Sequence, residues 1–392
     1  MLREVGTTFY QGVDAGVSDR EPASPLLLHA HRLRAKQPSL GILHLLAAQA
    51  EVLHPCDAQF FLEVTRGFLL DCNAQEISIA PRLFAMLCHK YSQVCISEGV
   101  AIQALLPLRA AADKLAPMKT CLSPIHADFL HCCILAKCYG VSSRFVDERP
   151  IFSVDPRKTG LTPVHFLRYF YYSGVVHVGT KRWKDAVDNF RMVISTPANT
   201  LSALVVEAYK KLVLVSLIFS GKLTPLPKYT SHVVSRQLKS HIKEYIMVDN
   251  KFQAGDVEKL KAAVTNGREI FIQDGNMGLV KQVTEALMKR KIMQLTHTYI
   301  TLSLDDIATT VGLSNSRVAE NYILRMVESG EICAKIEHPV GTVHFKEDHN
   351  EVTPDIMLAR LEDNLSTTVQ LTDRIRRLDM QISVSPQYIQ KV

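Results

Sequence analysis

The chain has 392 residues, 47% of them hydrophobic, and its 45 basic against 39 acidic side chains leave a formal charge of only +6. That length holds two or three packing units of roughly 100–200 residues each with apolar content enough for real cores, and so weak a charge balance argues for neither nucleic acid nor an anionic membrane as partner. The longest apolar run, 212–219 behind two lysines, falls far short of the roughly 20 residues that span a bilayer. The beginning of the chain lacks a basic stretch followed by an apolar core. Nine cysteines without framework spacing fit reduced thiols, so the expected setting is cytoplasm and nucleus.

In chain order the signal is helix after helix. Segments 39–53, 57–70, 79–97, 126–138, 163–178, 183–194 and 201–219 carry apolar residues at three- and four-residue spacing, separated by short connections rich in Pro, Gly, Asn or Asp. Strand patterns are nearly absent before residue 331. Such a series predicts hairpins stacked into a mostly α, right-handed, tetratricopeptide-like solenoid. One helix pair has a more specific spacing: Gly174, then Trp183, Ala186 and Phe190, then Pro197, a degenerate tetratricopeptide repeat in which a small residue lets two helices approach around aromatics. Core filling alone would bury the same aromatics. The helix at 201–219 turns from polar to apolar and is expected to be buried on most sides. Residues 256–294 remain helical, and Lys289, Arg290 and Lys291 read as a solvated helix end.

From residue 301 the pattern changes to that of a winged helix. Ser303 caps a first helix with Asp306 facing its free amides; Gly312 ends it. Ser314 or Ser316 caps a second helix with an apolar face of Val318, Ala319, Tyr322, Ile323, Met326 and Val327. Gly330 stops it, and Ile332, Ala334, Ile336, a Pro339-Val340-Gly341 turn, Val343 and Phe345 form a hairpin, the wing. Across 301–345 only Arg317, Arg325 and Lys335 oppose Asp305, Asp306, Glu320, Glu328, Glu331 and Glu337. A phosphate backbone would repel that surface, so protein docking is the expected use. Pro354 then opens a long helix whose Leu358, Leu361, Leu365, Val369, Leu371, Ile375, Leu378 and Ile382 make one narrow apolar seam, suited to an intermolecular bundle.

No active site is legible. His29 and His31 have the spacing of an MPN-type metalloprotease, but the Asp such a site needs would fall at position 42, which is Ile42. His126 and His131 point to different sides of a helix. Cys132, Cys133 and Cys138 lack metal-ligand spacing, and His338, His344 and His349 have no accompanying thiol. Ser220-Gly221-Lys222 lacks the rest of a phosphate loop. No catalytic residue, metal or cofactor is expected, and the chain reads as a nonenzymatic interaction protein.

Stretches 123–139, 207–231, 276–282, 295–308 and 323–336, with Ser385-Pro386-Gln387-Tyr388, resemble the PCI family, the scaffolding subunits of the proteasome lid, the COP signalosome and translation initiation factor three. Within it they resemble the signalosome branch. The resemblance covers residue 38 onward. It implies an atypical segment 1–38, N-terminal helical repeats 39–195, the helical part of a PCI domain 196–295, a winged helix 296–346 and a bundle helix 353–383. It further implies a noncatalytic scaffold in the complex that removes Nedd8 from cullins and so regulates cullin-RING ubiquitin ligases, with signalosome subunits 1 and 8 as PCI neighbours. Transferred by position, Ile332, Ala334, Ile336, Val343 and Phe345 would serve edge-to-edge sheet extension, and Leu358, Leu361, Leu365, Ile375 and Leu378 would pack in the bundle. The alternatives are a lid or initiation-factor subunit of the same architecture and a winged-helix nucleic-acid binder.

Overall fold

The computed structural model describes residues 39–54, 57–116, 118, 120–197, 200–227, 229–231, 236–238, 241–338, 341–346 and 354–384. The segment 1–38 with His29 and His31, the turn residues Pro339 and Val340, His349 and the Ser385–Tyr388 motif lie outside the described residues. The chain divides into two compact units, Met1–Met288 and Lys289–Val392.

The first unit is helical. Among the described residues its helices of six residues or more are α1 Ser39–Glu51, α2 Ala58–Asp71, α3 Pro81–Ser97, α4 Leu105–Leu115, α5 Pro124–Leu135, α6 Tyr139–Glu148, α7 Pro163–Gly179, α8 Trp183–Ser195, α9 Ala203–Phe219, α10 Lys243–Gln253, α11 Val257–Asn266 and α12 Arg268–Gln273. The boundary between the units falls inside α13, Met277–Thr298. Most helices pack on a neighbour in sequence, and α1 also meets α3, α2 meets α4, α3 meets α5, α5 meets α7 and α7 meets α9. That alternation is what stacked helix pairs produce. Proline opens α3, α5 and α7 at the first helical positions, where its missing N–H costs nothing.

The core follows from the apolar spacing. Phe61, Phe84, Tyr91, Phe129, Phe145, Phe190, Tyr245 and Phe271 are fully buried, each removal of such a side chain from water contributing about 1.5–3 kcal/mol. On α9 every residue from Leu212 to Leu217 is buried, as its composition predicts. The repeat-like pair α7 and α8 closes on Gly174, where a Cβ would stand 2.6 Å from the Phe190 ring. Trp183, at the start of α8, is only half-buried, whereas Phe190 fills the gap between the helices. Polar groups stitch α9 to the turn before α13: Lys210 Nζ donates to Asp274 Oδ1 (2.8 Å), the Tyr245 hydroxyl to Asp274 Oδ2 (2.7 Å), and Asn276 Nδ2 to the Tyr245 oxygen (2.9 Å).

The second unit holds strand β1 Thr301–Ser303, α14 Leu304–Val311, α15 Ser316–Glu328, β2 Cys333–Glu337, β3 Thr342–Lys346 and α16 Pro354–Ser383. The strands form one antiparallel sheet in the order β1-β3-β2. β1 lies in a stretch expected to contain no strand. Three residues show no alternation of their own, and pairing with β3 is what makes them one. The Ser303 cap is present, its hydroxyl accepting from the Asp306 N–H at 3.1 Å, and Gly312 and Gly330 take the left-handed backbone (φ 82° and 70°) that ends each helix. The cap of α15 is Asn315, not Ser314 or Ser316; its extended backbone enters the helix without a side-chain bond to the free amides. Lys289, Arg290 and Lys291 sit inside α13, which runs on to Thr298, so they do not end a helix; Lys289 pairs with Glu331 at 2.6 Å.

Candidate interaction surfaces

The sheet of the second unit decides which wing residues can meet another strand. Register places Leu302 and Ile336 on either side of Val343, and Ala334 opposite Phe345. In a pleated sheet these alternate residues share one face. That face is apolar: Val343 (0% exposed) and Phe345 (6%) are buried, as are Ile307, Val311, Ala319, Ile323 and Met326 from α14 and α15. Val343 and Phe345 therefore belong to the central strand, paired on both sides, and cannot extend the sheet. Ile332 is buried just ahead of β2. Only Ala334 and Ile336 lie on an outer strand, half-buried with their side chains on the inner face.

What β2 offers a partner is main chain. Within the described residues β2 and β1 each pair on one side only, so each outer edge carries N–H and C=O groups that a further strand can use. On the opposite sheet face stand Thr301, Lys335 and His344. His344 Nδ1 lies 2.7 Å from the Thr301 hydroxyl, and its Nε2 lies 3.6 Å from Glu337. The acidic balance of the wing is thus a real surface property, and Arg317 and Asn321 on α15 are exposed but flanked by Glu320 and Glu328.

Helix α16 runs for 30 residues, and its described side chains are exposed except Arg374. The seam residues Leu358 (57%), Leu361 (51%), Leu365 (64%), Ile375 (58%) and Leu378 (48%) all face solvent in the isolated chain. Among the described residues nothing buries that stripe.

The model of the family described as COP9 signalosome complex subunit 3, N-terminal helical repeats, matches residues 23–234, and that of the PCI domain matches 257–347. The COP9 signalosome complex subunit 3 of Dictyostelium discoideum is 34% identical over 362 residues, covering 92% of this chain and 86% of that protein. Its counterpart of the same name in Drosophila melanogaster is 32% identical over 376 residues, covering 92% and 84%. The chain belongs to the COP9 signalosome subunit 3 family. The architecture of this member is a mostly helical repeat region followed by a small mixed PCI region and a C-terminal helix. Its repeat match begins at residue 23, inside the segment 1–38 that the motifs left outside the resemblance.

The side chains singled out for chemistry are spread through this fold. Among the described residues no group of three or more His, Cys, Asp or Glu side chains is placed to hold a metal ion. His126 packs against Phe145 and Tyr169, while His131 stacks on Tyr172. Burial pushes the thiol of Cys133 up to about 12 and that of Cys132 higher still, so both are protonated apolar fillers. His338 pairs with Glu320 at 3.3 Å, apart from the His344 pairing with Thr301.

Two helix starts share a signal that the periodicity of apolar residues does not carry. Ser123-Pro124-Ile125-His126 and Thr162-Pro163-Val164-His165 each start a helix with a capping box, the histidine taking the place Glu or Gln usually holds. In both, the backbone N–H of the capping residue donates to the histidine Nδ1 at 3.2 Å. The shared pattern of hydroxyl residue, proline, β-branched residue and histidine is visible in the sequence.

Proposed function

We propose that the chain is a noncatalytic scaffold subunit of the COP9 signalosome, the complex that removes Nedd8 from cullins, acting in the cytoplasm and nucleus. In this reading the main-chain edge of β2, together with Ala334 and Ile336, joins a neighbouring PCI subunit, with subunits 1 and 8 as the flanking partners. The seam of α16 enters a helix bundle shared with other subunits. The observation that carries the reading is α16 itself: in a subunit-3 family chain, a regular apolar seam that none of the described residues buries. The acidic wing weighs against a nucleic-acid binder, because phosphate contacts need clustered Lys and Arg.

The test is recovery of the tagged chain from its own cells at moderate salt, with mass spectrometry of the co-eluting proteins and a cullin-deneddylation assay. A stoichiometric set of PCI and metalloprotease-type subunits with Nedd8-removing activity is expected. Proteasome-lid or initiation-factor subunits, or nucleic acid alone, would overturn the assignment and leave the fold as it is.

A further inference from the structure

We infer that Leu226, Pro227 and Tyr229, in the connection after α9, form a docking motif for a WW-type domain, a small module whose aromatic-lined groove reads polyproline II. After α9 the chain runs Leu223-Thr224-Pro225-Leu226-Pro227 with neither helix nor strand. The two prolines lock φ near about −65°. Thr224 and Leu226, each ahead of a proline, are held out of the helical region. Together these restrictions favour the polyproline-II conformation.

From Leu223 to Leu226 no group makes a hydrogen bond with any described residue, so the carbonyls of the run are open to donors from outside. Pro225 is exposed, while Leu226 and Pro227 are half-buried. A polyproline-II ligand lies in its groove along one side only, so a residue that rests on its own fold with one side still offers the other. The backbone then turns. The Thr230 N–H donates to the Pro227 carbonyl at 3.0 Å, which closes a turn with Tyr229 at its third position. Thr230 is buried, whereas Tyr229 is 75% exposed, more than any other Phe, Tyr or Trp among the described residues. Its hydroxyl makes no hydrogen bond with any of them.

Each of these features suits the same kind of groove. Aromatic rings take a proline whose backbone is already locked, so little conformational freedom is lost on binding. Indole N–H and tyrosine O–H groups of the groove can donate to the open carbonyls. A pocket beside the groove takes the Tyr229 ring, and Leu226-Pro227-x-Tyr229 is a spacing that WW-type grooves read. The spacing also excludes an SH3 domain, which needs two prolines three positions apart; Pro225 and Pro227 are two apart. The motif belongs to the first unit and is separate in sequence from β2 and α16, so the partner it recruits is additional to those of the proposed assembly.

The full chain titrated into a fluorescently labelled WW domain that accepts Leu-Pro-x-Tyr peptides, with anisotropy as the readout, tests the site. Saturable binding is expected, weakened at least about tenfold by Tyr229→Ala and by Pro227→Ala, as truncation of an interface anchor does. Tyr229→Ala deletes a mostly exposed ring, so its thermal melt should match the wild type and the lost binding is not unfolding. Tyr299→Ala, at another exposed aromatic (47%), should bind as the wild type does, and an SH3 domain should not bind at all. Binding to a peptide of residues 222–231 but not to the folded chain would show the motif covered by its own fold and overturn the proposal. Absence of any saturable binding, binding untouched by Tyr229→Ala, or binding to the SH3 domain alone would overturn it as well. An equal loss in Tyr229→Ala and Tyr299→Ala would reduce the contact to nonspecific adhesion and have the same consequence.

Discussion

Replacing Gly174 with alanine tests the closest helix approach in the first unit. The new Cβ would lie 2.6, 2.9 and 2.9 Å from Cε1, Cδ1 and Cζ of Phe190, a ring with no exposed surface into which to retreat. Overpacking of this kind costs about 1–3 kcal/mol, against a gain of about 0.5–1 kcal/mol from replacing a helical glycine. The net expectation is a loss of about 0.5–2 kcal/mol. Trp183, the only tryptophan in the chain, opens the helix that carries Phe190, so its fluorescence during urea unfolding reports the same helix pair. Phe190→Leu makes room for the methyl group, and the double variant should recover at least about 1 kcal/mol relative to the sum of the single changes. A Gly174→Ala chain that gains the full helix-propensity increment, or a double variant that is simply additive, would refute close packing as the reason for the glycine.

Leu361→Asp with Leu365→Asp should leave the chain's own melting within about 0.5 kcal/mol, because both side chains are already more than half exposed, while abolishing co-purification with partners; a lost cooperative melt would instead show that α16 packs within the chain. Asp274→Asn removes the anion shared by Lys210 and Tyr245 and should cost about 1–3 kcal/mol in urea unfolding, and a change below about 0.5 kcal/mol would show the network to be dispensable. Stability should also fall in acid. The folded-state pKa of His126, about 4, lies below its ordinary 6.5, so the unfolded chain takes up the proton first. The contribution is whole above about pH 6.5 and is lost as pH falls toward 4. At 1.36 kcal/mol per pKa unit it amounts to about 3 kcal/mol. His131, His165 and His177 are lowered by burial in the same sense. His126→Asn should flatten part of that slope in pH-dependent melting curves, and an unchanged slope would remove His126 from the cause.

The helical repeats were legible because long helices announce themselves by spacing. The run from Leu212 to Leu217 and the wide apolar face of α15 needed nothing beyond periodicity. Helix α4 is quieter, since its buried stripe of Leu108, Ala111, Ala112 and Leu115 is half alanine and Pro107 interrupts its first turn. Strand β1 exists only through its partner, and that partner's central place in the sheet is a tertiary fact. For the same reason Val343 and Phe345 looked like wing-edge residues in sequence: alternation tells which residues share a face, but not which strand lies in the middle. The Arg149–Asp113 pair was hidden for a different reason: its two residues come from separate helical segments with no common spacing.

The open stripe on α16 also bears on the fate of surplus copies. An exposed apolar surface on a rigid thirty-residue rod is the kind of feature that drives nonspecific association. If partner helices cover α16 as proposed, a copy produced beyond their supply displays Leu361, Leu365 and Ile375 to every chaperone and protease it meets, while a covered copy is silent to them. The abundance of this chain should then follow the supply of whatever covers α16, even with every other part of its fold unchanged.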